Sequence, residues 1–393
     1  MVNSPQSLNH SFAIHSIKKQ IANFTHHMYL QQLSVINFKN YAEAELTFSD
    51  GVNAFTGDNG AGKTNLLDAI HYLSLCKSYF NPIDSQQIKQ GADFFIINGN
   101  FNKNNKHEKI ACAVKRNQKK QFKHNKKDYQ RLADHIGLFP LVMISPYDTS
   151  IITEGSEERR KFIDNVLSQT DHHYLDEVIA YNKVLNSRNA FLKMIADTGR
   201  YDPHLLEVMD EQLIAAGNSI FKKRKAFMEG FTEIFNQHYQ FLTEDAEKVE
   251  LIYESQLLQD DLSTLLKKSI ERDRALERTT AGIHKDDLQF IIHGMPMKKF
   301  GSQGQQKSFL IALKLAQYTF LTRQKGFKPL LLLDDIFDKL DDKRVTKLMQ
   351  MVSDNDFGQV FITDTSVNRV QNIFTAMDVP IKLFKVKGGE IDA

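Results

Sequence analysis

Cysteine is scarce: Cys76 and Cys112 are the only two in 393 residues. They exclude a disulfide framework and a four-thiolate zinc site, and they fit a reducing cytoplasm. Long apolar runs are missing as well. The richest stretch, Phe309 to Leu321, is interrupted by Lys314 and Gln317, well short of the roughly eighteen residues of a membrane span. Neither sign of charge dominates, with 50 Lys and Arg against 48 Asp and Glu and a formal net charge of +2. Any affinity for nucleic acid therefore has to come from local patches. The first 27 residues lack the continuous apolar segment of a secretory signal. They read as a mobile extension, with His10, His15, His26 and His27 as solvated tail rather than metal ligands, and the working chain starting at Met28. What is present is globular: 41% hydrophobic and 25% charged residues, in a length that suits two to three domains of roughly 150 residues each.

The pattern divides the chain by type. Leu30, Leu33, Val35 and Phe38, then Ala44, Leu46 and Phe48, follow the two-residue period of half-buried strands joined at Lys39-Asn40-Tyr41. A short strand at 52–56 runs into a glycine-rich turn, and Leu66, Leu67, Ile70, Leu73 and Leu75 then recur at helical spacing. Residues 94–131 read as antiparallel strands with a basic turn region: eleven Lys and Arg from Lys103 to Arg131 face only Glu108 and Asp128. One more strand is expected at 141–144, followed by long helical stretches over 158–167, 174–193, 205–241 and 262–276. Strands and glycines return from His284. The spacing predicts an α/β lobe with mixed sheets built from both chain ends (28–155 and 281–393), split by a mainly helical lobe (156–280).

Three elements carry chemistry. Gly57-Asp58-Asn59-Gly60-Ala61-Gly62-Lys63-Thr64 has the spacing of a phosphate cradle: glycines let backbone N–H groups face an anion, and the helix that follows adds its positive end. Lys63 is expected to reach the β and γ phosphates of ATP, and the Thr64 hydroxyl to bind Mg²⁺. Leu330 to Leu333 followed by Asp334-Asp335 supplies an apolar strand ending in two acids. Asp334 would serve the metal and Asp335 would orient the attacking water. Adjacent strand residues point to opposite faces, so both can act only if the strand ends there; Asp341 offers a further acid. Ser302-Gln303-Gly304-Gln305, just before an apolar helix, is either an ordinary helix cap or a second anion site. One nucleotide hardly needs two cradles in one subunit, which points to a composite site shared by two copies.

These elements in this order resemble the ABC-type, P-loop ATPases of the SMC group, and most closely the RecF family of bacterial recombination and repair proteins. The match is carried by Leu33 to Tyr41, the cradle, Ser145-Pro146, Glu157 to Asp164, Tyr181, Ser187-Arg188-Asn189, Gln212-Leu213 with Gly217, Gly282 to Asp287, Ser302 to Gln305 and Asp334-Asp335. The resemblance implies a cytoplasmic ATP-binding protein of DNA replication, recombination, damage repair and the SOS response. Such a protein would bind gapped DNA or single-strand/double-strand junctions and promote RecA loading with RecO and RecR. It also implies a weak DNA-dependent ATPase that switches a homodimer. Residues 57–64 would then bind ATP, Thr64 and Asp334 would serve Mg²⁺, Lys63 and Asp335 would be catalytic, and Ser302, Gln303 and Gly304 would act in trans. Lys39 and Lys285 depart from the family's Arg, Ile283 from its Pro. Ser145-Pro146 and Asp364 stand where transporter relatives place a sensing Gln and a switch His, which makes His284 a candidate for the missing histidine. The DNA surface would draw on 103–131 and on Lys222-Lys223-Arg224-Lys225. The alternatives are a transporter's nucleotide-binding subunit, disfavoured by the helical insertion, another SMC-like ATPase, disfavoured by the lack of long coiled arms, and a small-molecule kinase, in which Ser302 would have no role.

Overall fold

The computed structural model describes residues 27–244, 247–337 and 342–392. The extension read at the N-terminus and the acid at Asp341 lie outside them, apart from His27. Two compact units emerge, one from Met1–Tyr147 with Gln317–Ala393, the other from Asp148–Ala316.

The first unit is built on two six-stranded sheets. In the antiparallel one, β1 (Met28–Phe38) lies between β2 (Tyr41–Thr47) and, across the sheet, β4 (Phe94–Lys103), which continues into β5 (Lys106–Lys115), β6 (Gln121–His124) and β7 (Lys127–Asp128). The alternation read in the sequence is its inward face: Leu30, Leu33, Val35 and Phe38 are fully buried. The other sheet has β3 (Val52–Thr56) near its centre and β8 (Leu141–Ile144) at one edge. Both β3 and β8 are buried along their whole length, as interior parallel pairing requires. Gln359 ties the sheets together inside the core: its amide accepts from Leu30 N at 2.7 Å and donates to Leu30 O at 2.8 Å and Ser49 O at 2.6 Å. Every polar atom of that buried side chain is thereby satisfied.

The second unit is helical around a small sheet. Its helices span Ser156–Thr170, His172–Thr198, Pro203–Thr243 and Leu262–Ala275. The long helix starts where Asp202 accepts from His204 N and Leu205 N, ahead of Pro203 in the first turn. Periodicity missed a strand here. The segment β9 (Val249–Glu254) pairs antiparallel with β10 (Asp287–Ile292), which also pairs with β11 (Met295–Pro296). That pairing groups residues up to Ala316 with the helical unit.

Two sequence readings need correction. Arg224, placed on a DNA surface, is only 2% exposed: it donates to Asp286 Oδ2 at 2.7 Å, Asp164 Oδ1 at 2.8 Å, Tyr174 Oη at 3.0 Å and Ile283 O at 2.9 Å. Lys223 pairs with Asp171 at 2.8 Å and Glu177 at 3.4 Å. The basic strands also hold fewer free cations than counting suggests. Lys103 donates to Leu138 O at 2.7 Å over the Phe139 and Phe327 rings, and Lys120 pairs with Asp84 at 2.8 Å and donates to Cys76 O at 2.7 Å. Lys106, Lys109, Lys115, Arg116, Lys119, Lys126, Lys127 and Arg131 stay exposed.

The second sheet is completed by β12 (Leu330–Leu333), β13 (Val360–Asp364), β14 (Ile381–Lys387) and β15 (Glu390–Asp392), in the order β15-β14-β3-β13-β12-β8, with every pair parallel except the antiparallel β14–β15 edge. This order sets the neighbours of the cradle.

Candidate functional site: a phosphate cradle at parallel strand ends

β3 delivers the chain into the loop 57–62, and the helix Lys63–Leu75 follows. Gly57 has φ +150° and Gly62 φ +116°. A Cβ on Gly57 would lie 2.1 Å from the Val386 carbonyl oxygen, and one on Gly62 would lie 2.4 Å from Asn40 Nδ2 and 2.8 Å from Tyr41 Oη. Both positions are closed to a side chain, by backbone conformation and by space. The close approach is used: Tyr41 donates to Gly62 O at 3.0 Å, and Asn40 donates to Ala61 O at 3.1 Å. Gly57 N donates to Asp364 O at 3.3 Å, fixing the loop to the end of β13.

Lys63 folds back over this loop and donates to Gly57 O at 2.7 Å and Asp58 O at 2.8 Å. Burial lowers its pKa below the usual lysine value, while Asp335, Asp334, Asp364 and Asp58 act in the opposite direction. An ammonium held on loop carbonyls beside four carboxylates is placed for an anion to take over those contacts.

The acids come from the neighbouring strand. Leu333 of β12 is in register with Ile144 of β8 and Ile362 of β13, so Asp334 and Ser145, just past their strands, meet Thr363 near the end of β13. Asp334 Oδ1 accepts from Thr64 Oγ1 at 2.8 Å and from Thr363 Oγ1 at 2.9 Å, and its Oδ2 accepts from Ser145 Oγ at 3.3 Å. Burial raises the pKa of Asp334, and the three hydroxyls and Lys63 oppose that rise. The strand ends at Leu333, and Asp335 takes a left-handed φ of +50°, its N–H donating to Thr363 Oγ1 at 2.8 Å. Strand alternation therefore stops before the pair, and both acids line one pocket with Asn59, Gly60, Gly62, Lys63 and Thr64. The pocket, about 240 Å³, is smaller than the roughly 300–1,000 Å³ that encloses a whole small molecule. It has the size of a polyphosphate end. Among the described residues no group of three or more His, Cys, Asp or Glu could hold a metal ion. A hard cation here would rest on Thr64, Asp334, phosphate oxygens and water, as Mg²⁺ commonly does.

Thr363 and the linking role of Ser145 were not singled out by the sequence; their signal was the polar residue at the end of each buried apolar strand. Asp364, which stands where transporter relatives place a switch His, accepts from Ser366 N at 2.5 Å and from Arg369 at 2.9 and 3.0 Å. Lys39, which departs from the family's Arg, pairs with the fully buried Asp68 at 2.6 Å. In the other unit, Ser302 Oγ accepts from Gln305 N at 3.2 Å while Gln305 Oε1 accepts from Ser302 N at 2.7 Å. This is a reciprocal cap on the helix Gln303–Lys325, and Ser302 and Gln303 remain exposed while Gly304 is half-buried. His284 is structural: its Nδ1 contacts Tyr181 Oη at 2.9 Å and its Nε2 contacts Thr279 O at 3.1 Å.

The family model of the RecF/RecN/SMC N terminal domain matches residues 29–392. The DNA replication and repair protein RecF of Flavobacterium johnsoniae is 52% identical over 359 residues, 91% of this chain and 100% of that protein. The chain belongs to the RecF family. RecF of Parabacteroides distasonis is 49% identical over 93% of this chain and 99% of its own. A solved structure of the recombination mediator protein RecF-ATP in the RecFOR pathway shares 33% identity with a TM-score of 0.83, covering 93% of this chain and 97% of that one. The Smc head domain of Pyrococcus furiosus, at 18% identity and a TM-score of 0.55 over 93% of this chain and 95% of that one, shares the fold. RecF proteins are thus DNA replication and repair proteins on an SMC-type α/β ATPase fold. Among the described residues, no helix of this member is long and apolar enough to cross a membrane.

Proposed function

We propose that this RecF protein is a cytoplasmic ATP-dependent DNA-binding protein that recognises gapped DNA or single-strand/double-strand junctions and promotes RecA loading with RecO and RecR. Its ATPase is weak and DNA-dependent, and acts as a switch for a homodimer. Residues 28–155 with 281–393 form the functional ATPase lobe in this reading, and 156–280 the helical lobe. The observation that carries it is the Thr64–Asp334 hydrogen bond, which joins the cradle helix to the acid strand across 270 residues of sequence. Residues 57–64 would hold the triphosphate of ATP, with Lys63 on its β and γ phosphates. Bound Mg²⁺ would supply charge neutralisation of those phosphates, held through Thr64 and Asp334. Asp335 would orient the attacking water. A short acid in place of the usual Glu reaches less far, which suits slow turnover.

Ser302, Gln303 and Gly304 would meet the terminal phosphate held by another copy. Their exposure supports this reading, because a cap turned inward would have no surface to offer. Sizing with and without ATP tests it. The parent chain is expected to dimerise with ATP, whereas Lys63→Met fails to bind nucleotide and Ser302→Arg binds it but stays monomeric. A Ser302→Arg protein that still dimerises with ATP would remove the shared site.

A further inference from the structure

We propose that Tyr147 is a specificity-determining residue that lets the cradle distinguish a nucleoside triphosphate from a diphosphate. The inference deepens the ATP reading and rests on it. Tyr147 lines the same pocket as Thr64, Asp334, Asp335 and Thr363, the end where a terminal phosphate and its cation would sit. Its place is set by strand register. β8 ends at Ile144, opposite Leu333, and Asp334 N donates to Ile144 O at 2.9 Å. Residues 145–147 therefore leave the sheet beside the two acids, and Pro146 removes one backbone freedom on the way.

The ring is unusual for its exposure. Tyr147 is 66% exposed, the most of any large hydrophobic residue described. It is nevertheless buttressed: Phe80 meets it edge-on, with centroids 5.0 Å apart at 73°. Phe80 in turn lies under Lys39 Nζ at 5.2 Å, and Lys39 pairs at 2.6 Å with Asp68, which is wholly buried on the cradle helix and also accepts from Ser78 Oγ and Tyr79 N at 2.7 Å. Asp68 stands one helical turn beyond Thr64. A chain of contacts thus holds the phenol at the pocket rim from the same helix that holds the phosphate cradle. A phenol O–H can donate a hydrogen bond. Its hydrogen bond to a charged phosphate oxygen is worth about 10- to 100-fold in affinity, and it is available only to a ligand long enough to reach the rim.

The test compares ATP and ADP by equilibrium dialysis with Mg²⁺ present. Tyr147→Phe is expected to weaken ATP binding about tenfold and to leave ADP binding unchanged. Because the chain contains no tryptophan, Tyr147→Trp places a single indole at the rim. Its emission is expected to shift with ATP and to stay fixed with ADP. Equal losses for both nucleotides in Tyr147→Phe, no loss for either, or identical emission with both would overturn the proposal. A parent chain that binds neither nucleotide would instead overturn the ATP reading itself, and this inference with it.

Discussion

At the residue scale, three buried side chains behave against their ordinary chemistry, and one of them, Asp334, belongs to the parallel-strand site. Asp334 is only 4% exposed, and burial raises its pKa. A carboxyl that holds its proton to higher pH when folded than when unfolded costs stability as pH rises through that interval. Asp334→Asn is therefore expected to raise the Tm of the nucleotide-free protein by a few degrees while abolishing ATP hydrolysis; calorimetry alongside phosphate release checks both. Histidine gives the opposite sign. Burial drives His135 and His284 from 6.5 down to about 4. His135 is held between Leu73 O at 2.7 Å and Tyr129 Oη at 3.0 Å. The stability each contributes is complete above pH 6.5 and is lost as pH falls toward about 4, up to about 3 kcal/mol apiece. His135→Gln should flatten acid denaturation of the first unit, and His284→Gln that of the second, as followed by chemical denaturation between pH 7 and pH 4.

At the scale of elements, the helices of the second unit carry charge where their apolar stripes should be. Ile220, Arg224, Phe227 and Phe231 fall on one buried face, as do Tyr181, Leu185, Arg188, Leu192 and Ile195. Arg188 is wholly buried and donates to Asp210 and Asp273 at 2.7 Å. Asp286 keeps a buried Oδ1 with no hydrogen-bond partner even with Arg224 in place. Arg224→Met leaves that carboxylate uncompensated and is expected to cost about 3–5 kcal/mol; Asp286→Asn added to it should recover part of the loss in urea titrations. The same stripes show what sequence makes legible. The cradle, the alternating strands and the principal helices follow from local spacing, because side-chain direction obeys the periods of helix and strand. Arg224 belonged to the i, i+3, i+4 pattern of its neighbours, yet beside Lys222, Lys223 and Lys225 it read as surface, since a charge run is ordinarily solvated. β9 was missed because it alternates weakly, with only Leu251 buried, and its partner lies more than thirty residues onward. Asp334, Ser145 and Thr363 meet through the register of three parallel strands distant in sequence, which no local pattern encodes.

For the whole molecule, near-neutral charge makes any hold on DNA a matter of placement. The exposed cations of β5 to β7 and their turns, Lys106 to Lys127, are the patch that survives once buried and paired side chains are set aside. If about five of them meet phosphates, the log-log salt slope is about −4.5, and affinity should fall roughly 500-fold between about 50 and 200 mM salt. Filter binding across that range checks it, and Lys126→Glu with Lys127→Glu should make the slope shallower by about 2. Removing Lys222 and Lys225 should change it little, since Lys223 and Arg224 between them are committed to carboxylates.

The positive φ at Asp335 bears on how this ATPase could evolve. Left-handed backbone is tolerated best by glycine, asparagine and aspartate, whose short side chains fit beside their own main chain. A longer acid can take the same backbone, as Glu244 at +58° and Glu277 at +54° do elsewhere in this chain. The bend after β12 is thus open to either acid, and under the role proposed for Asp335 it is the length of the side chain, not the handedness of the backbone, that would set how far the carboxylate reaches.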